Sequence, residues 1–270
     1  MPAYALLEKN YQPPSKPPFF PQKTLPTMYD LPSEEPNEPG LPDEFHYYQP
    51  QLLRETFRPP DYSPDQIYVA SDIYLYYDEN YLNRYKRPDW FAVLGVGPVY
   101  GQKRDMRLSY VVWDEKVAPY IVVELLSDST ENEDLGKTLR DIKQPPTKWE
   151  VYEQILKIPY YVIFGRELSE FRAFELDKGR YRELTLLDNR LWLPNLKLGL
   201  GLWSGNYYDI VHKWLRWYNE SDWIANHPEQ LEAEKQRALA NAKRAEQERQ
   251  RAERLAQLLR EQGIDPDKLC

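Results

Sequence analysis

Runs of apolar residues, each only a few positions long, alternate with polar segments punctuated by proline along most of the chain. Four of them, "IYVASDIYLYYD" (67–78), "PDWFAVLGV" (88–96), "RLSYVVWDE" (107–115) and "YIVVELLS" (120–127), are rich in Val, Ile, Tyr and Trp and bounded by Pro, Gly or Asp. Such runs predict strands, because branched and aromatic side chains pack well on a pleated surface. Ahead of them, Phe45, Leu52, Leu53 and Phe57 in "DEFHYYQPQLLRETF" predict a helix interrupted or started at Pro50. A helix is predicted over Thr147–Leu156, followed by strands at "YYVIFG", "EFRAFEL" and "RYRELTLL", the last two joined through a turn at "LDKGRY". "YYDIVHKWLRWYNE" (207–220) reads as an amphipathic helix closing the domain. Strands, one helix and then more strands indicate an α/β chain of the α+β kind, with a mixed sheet.

The pattern changes at both ends. Residues 1–43 hold eleven prolines, as in "QPPSKPPFFPQ", and predict an extended, disordered arm ahead of a domain over 44–224. Residues 225–270 form a charged helical tail. Over 228–262, Leu231, Ala238, Ala245, Ala252 and Leu259 recur at seven-residue spacing among seven Glu and eight Lys or Arg, and Gly263 marks the end. An alanine-rich seam suits either a weak coiled coil, and with it a homodimer, or a lone solvated helix.

Composition narrows the classes. The chain has 270 residues, 41% of them hydrophobic, enough for a substantial core. Its one cysteine, Cys270, excludes an intrachain disulfide and suggests a reducing, cytoplasmic setting. No segment reads as a signal peptide, and none has the roughly 20 apolar residues of a membrane span. A net charge of −8 argues against broad adhesion to nucleic acid while leaving room for a local basic groove.

One position breaks the strand pattern. Glu124 lies inside "APYIVVELLSDST", where a buried carboxylate is costly unless paired, hydrogen-bonded or metal-bound. A second acid, Asp89, opens the apolar strand of "RPDWFAVLGV". Two carboxylates on adjacent strands can meet at one point of a sheet and suit a hard cation such as Mg²⁺. The alternative is that Glu124 pairs with an arginine and Asp89 caps a turn. "TENE" (130–133) fits a capping box, which gives Thr130, and with it Ser129, a structural role. His46, His212 and His227 lie in unrelated segments and form no ligand pattern, and no phosphate-binding glycine loop is present.

"RPDWFAVLGV", "YIVVELLSDST", "NEDLGK" and "TKWEVYEQILKIPYYVIFG" together resemble the Uma-two type of restriction endonuclease, within the PD-(D/E)XK nuclease superfamily, over about residues 44–218. "ELLSDST" is similar to that family's Glu-x-aliphatic-Ser-Pro-Ser-Thr, with Asp128 in place of the proline. The resemblance implies a restriction-endonuclease-like mixed sheet flanked by helices, and Mg²⁺-dependent cleavage of DNA with Mn²⁺ as a substitute. It implies Asp89, Glu124 and the carbonyl of Leu125 as metal ligands. The lysine expected two positions after the glutamate is replaced by Leu126. Its role falls by resemblance to Lys148, four before Tyr152, with Lys137 as the rival, and Asp134 and Glu55 are further acids that could serve the site. The competing reading is a nuclease-derived module that no longer cuts and serves binding or assembly.

Overall fold

The computed structural model describes residues 43–101, 104–126, 134, 136, 144–166 and 170–263. The arm over 1–42, Lys137 and the "TENE" capping box lie outside them.

The centre is a six-stranded sheet. It contains β1 (Ile67–Ala70), β4 (Trp90–Leu94), β6 (Ile121–Leu126), β7 (Tyr160–Gly165), β8 (Glu170–Asp177) and β9 (Arg180–Glu183), side by side in that order. Only β6 and β7 run parallel, from Ile121 opposite Tyr160 to Leu126 opposite Gly165. A parallel pair needs a crossover, and the segment between them supplies one. Trp90 pairs with Val123 in antiparallel register, so Asp89 lies at the end of β4 beside Glu124.

Alternation along β6 sends successive side chains to opposite faces, and both faces are covered. Ile121, Val123 and Leu125 pack with Leu52 and Leu53 of α1 (Phe45–Thr56) and with Phe57 just after it. Val122 packs on the other face with Tyr152, Tyr161 and Ile163. Burial on both sides explains why β6 and β7 read as unbroken apolar runs. Pro50 lies inside α1, which begins five residues before it, so the chain is not broken there. Burying Leu52 and Leu53 completely, at about 1.5–3 kcal/mol each, offsets the one hydrogen bond that proline removes.

The run 67–78 is two strands, β1 and β2 (Leu75–Tyr76), separated by a bend at Asp72 with φ of 56°. The run 107–115 yields only the short β5 (Tyr110–Val111) before a helical turn, α2 (Val112–Glu115). With β3 (Tyr85–Lys86), β2 and β5 form a small three-stranded sheet.

The helix expected over 207–220 is a strand. β10 (Arg190–Leu193), β11 (Leu198–Tyr207) and β12 (Ile210–Tyr218) form an antiparallel sheet, with nine register pairs between β11 and β12. The hairpin turns at Tyr208 and Asp209, both at positive φ, as a two-residue primed turn requires. The turn lacks the glycine that would have signalled it. Gly199 lets β11 and β12 pair here, since a Cβ there would clash with the Tyr218 ring.

The tail is a continuous helix, α4 (His227–Glu261), with none of its residues buried. Asn226 caps it, accepting from Glu229 N–H while the Glu229 carboxylate accepts from Asn226 N–H. Buried Arg216 bonds the same Glu229, and Glu55 accepts from His227 N–H at 3.0 Å. Among the described residues no helix is long and apolar enough to cross a membrane.

Candidate active site

The site forms where β4, β6 and the crossover helix α3 (Lys148–Glu150) meet; α3 continues as a π turn over Val151–Ile155. Thr147 and Glu150 form a reciprocal cap that fixes the start of α3. Lys148 and Tyr152, four apart, therefore share the face turned to Glu124. The even-numbered face of β6 delivers Glu124 to the same point with no solvent exposure.

The Glu124 carboxylate is held on both oxygens. Oε1 accepts from the Tyr152 hydroxyl at 2.7 Å. Oε2 accepts from Lys148 Nζ at 3.1 Å and from Asp89 N–H at 3.2 Å. Asp89 Oδ2 accepts from Leu125 N–H at 2.6 Å. Lys148 also reaches Asp134 Oδ1 at 2.7 Å, and Asp134 in turn accepts on its backbone carbonyl from the Tyr161 hydroxyl at 2.9 Å.

The electrostatics follow from burial. Desolvation, with the Asp89 charge adding to it, pushes the Glu124 carboxyl up to about 7 against the pull of Lys148 and Tyr152. Burial also raises Asp89. Burial alone would lower Lys148, but Asp134, Glu124 and Asp89 together hold it well above the ordinary lysine value. Three acids, Asp134, Glu124 and Asp89, thus act on the one ammonium of Lys148.

The structure therefore brings Asp89, Glu124, Leu125, Lys148, Tyr152 and Asp134 to one place. It takes Glu55 elsewhere, to the start of α4. The partner of Glu124 is a lysine, not the arginine the structural alternative called for.

Sequence reasoning passed over His46. α1 brings its ring to the far side of Leu125, where Nε2 stands 3.4 Å from the Leu125 carbonyl oxygen. Asp43 accepts both His46 N–H, at 3.1 Å, and the ring at Nδ1, at 2.8 Å. Arg166, just past β7, bonds the other Asp43 oxygen at 2.6 Å. Asp43 three residues before His46 is a local signal of helix capping, but nothing in the sequence joins His46 to a strand 79 residues away.

The donors suit a hard divalent cation. Among the described residues no three His, Cys, Asp or Glu side chains form a ready cluster. Mg²⁺ does not need one, because it keeps several waters and takes one or two carboxylates with substrate phosphate. Asp89, Glu124 and the Leu125 carbonyl are an oxygen set of that kind.

A family model, Uma2, described as "Putative restriction endonuclease", matches residues 25–206. Among curated proteins no sequence matches this chain.

Proposed function

From its membership of the Uma2 family, which points to a nuclease, we propose that this chain hydrolyses DNA phosphodiester bonds with Mg²⁺, or Mn²⁺ in its place. The observation carrying this reading is the approach of Lys148 Nζ to Glu124 Oε2, with Asp89 at the end of the neighbouring strand. Asp89, Glu124 and the Leu125 carbonyl hold the cation, which when bound polarises a phosphoryl oxygen and makes hydroxide more accessible from water. Lys148 donates to the attacking water and offsets charge growing on the phosphoryl oxygens. Tyr152 fixes the Glu124 carboxylate through Oε1, leaving Oε2 toward Asp89 and Lys148.

One observation favours the silent module instead. Lys148 is already engaged by two carboxylates, Glu124 and Asp134, and such an ion-pair cluster can be purely structural. Incubation with supercoiled plasmid and short duplexes decides, with Mg²⁺, Mn²⁺ or chelator. Metal-dependent nicking that disappears in both Glu124→Gln and Lys148→Ala supports the nuclease. Intact DNA in all arms, with no effect of Mn²⁺ on the melting temperature, leaves the silent module.

A further inference from the structure

We propose that the outer face of the small sheet of β2, β3 and β5 is a stacking platform for single-stranded DNA. Its tyrosines, Tyr74, Tyr76 and Tyr85, position such a strand for the acids Asp89 and Glu124. The inference rests on the nuclease reading above and names a class of substrate for it.

Strand register separates the two faces of this sheet. Leu75 pairs with Lys86 on one side and Tyr110 on the other, and all three are buried. Tyr76, the next residue, pairs with Tyr85 and Val111, so these side chains turn the opposite way. Tyr74 and Tyr85 are 38% and 40% exposed.

The rings of the outer face form one group. Tyr74 and Tyr85 stack with centroids 4.0 Å apart and planes 23° from parallel. Tyr76 approaches Tyr85 at 5.7 Å and Tyr74 at 6.3 Å, and Trp113 adjoins Tyr76 at 6.3 Å. Single exposed aromatics are ordinary, whereas a contiguous exposed group marks a surface that meets a partner. The 4.0 Å spacing is near the roughly 3.4 Å of successive bases, so a base can extend the stack. A duplex encloses its base faces between neighbouring pairs, while an unpaired strand offers them to side chains. Charge fits the same occupant. Arg84 lies 3.8 Å over the Tyr81 ring and has no carboxylate partner among the described residues, which leaves its charge for a phosphate.

The chain joins this face directly to the acids. Asp89 follows Tyr85 by four residues, at most about 14 Å of extended chain. That length corresponds to about four nucleotides at 3.4 Å each. Asp72, just ahead of β2, donates its N–H to the Pro88 carbonyl at 2.9 Å, and its carboxylate accepts from Arg87 at 2.6 Å. The segment leading into Tyr74 is thereby fastened to the residues immediately before Asp89.

The test is fluorescence anisotropy on the full chain in chelator, with a labelled 15-nucleotide single strand and the blunt duplex of the same sequence as probes. The single strand should bind at least tenfold tighter than the duplex. Tyr74→Ala and Tyr85→Ala should each weaken it about 5- to 150-fold, the worth of one base stacked on an aromatic ring. Tyr85→Phe keeps the ring and should bind as wild type. Tyr85→Leu keeps apolar bulk without a ring and must also lose affinity, which serves if the alanine variant does not fold.

Equal affinity for both probes, or single-strand binding indifferent to Tyr74 and Tyr85, overturns the platform. Metal-dependent nicking by that same protein leaves the nuclease reading standing. A dimer in light scattering that Tyr85→Ala converts to monomer gives the face to a second copy and overturns the platform too. Single-strand binding that needs Tyr85, in a chain that cuts nothing with Mn²⁺, keeps the platform and strikes only the nuclease reading.

Discussion

Lys148 places its ammonium 3.1 Å from Glu124 Oε2 across 24 residues of chain, at the first position of a helix whose cap is written in the sequence. The same ammonium holds Asp134, and both acids are fully buried.

Removing that ammonium leaves two buried carboxylates facing Asp89. Lys148→Ala should cost about 3–5 kcal/mol in metal-free protein, the range for a broken buried ion pair. Part of the loss should return with Mn²⁺, because a cation offsets the same charge. DNA cleavage should vanish while metal affinity is retained. Urea melts with and without Mn²⁺, beside calorimetric titration, measure all three, and wild-type stability in the variant contradicts the ion-pair argument.

Glu124 sets a pH dependence with a definite sign. Its folded pKa near 7 lies above the usual 4.5, so the folded state keeps a proton the unfolded chain gives up. The contribution is full below pH 4.5 and declines as pH rises through about 7, by about 3 kcal/mol at ~1.4 kcal/mol per unit. Lys148 stays protonated in both states over this window and does not cancel it. His46, also raised, acts in the same direction. Melts of metal-free protein from pH 5 to 8 should therefore fall in wild type and fall less steeply in Glu124→Gln, where His46 and Asp89 still titrate. A wild-type curve parallel to the variant's counts against a raised Glu124.

The Tyr152 hydroxyl holds Glu124 Oε1. Tyr152→Phe should cost roughly 1–3 kcal/mol, as when a buried acceptor loses its donor. That hydrogen bond favours the carboxylate, so the midpoint of the pH profile should move above that of wild type. An unmoved midpoint separates a packing effect from the hydrogen bond.

The tail predicts two different outcomes for two truncations. A chain ending at Gln236 keeps Glu229 on Arg216 and the Glu55 contact to His227 N–H, and its melting temperature should match full length. A chain ending at Asn226 leaves Arg216, 2% exposed, without its carboxylate and should lower the melting temperature, by less than a fully buried pair would because Glu229 is 42% exposed. If the seven-residue repeats pair, light scattering will give a dimer for full length and a monomer for both truncations. Equal masses for all three rule out assembly through the tail.

Elements whose signal is local could be read from the chain alone. β6 and β7 are buried on both faces, so they must be unbroken apolar runs, and a charge inside one of them is conspicuous at Glu124. The helix from Thr147 and the i, i+4 spacing from Lys148 to Tyr152 are local too, as is the break in composition before α4. The fold class followed from these, since strand and helix runs in that order leave few ways to cover a sheet. Tertiary structure decided what depends on a partner. The stretch 207–220 carries apolar residues at spacings that fit a helix, and only pairing with β11 across an unsignalled Tyr208–Asp209 turn makes it a strand. The acids Asp134 and Glu55 look alike on paper. Packing gave one to Lys148 and the other to the start of the tail. His46 is one more polar residue on a predicted helix until α1 lays it against Leu125. Contacts between residues 79 positions apart leave no periodicity to read, because they arise only when two buried faces close on each other.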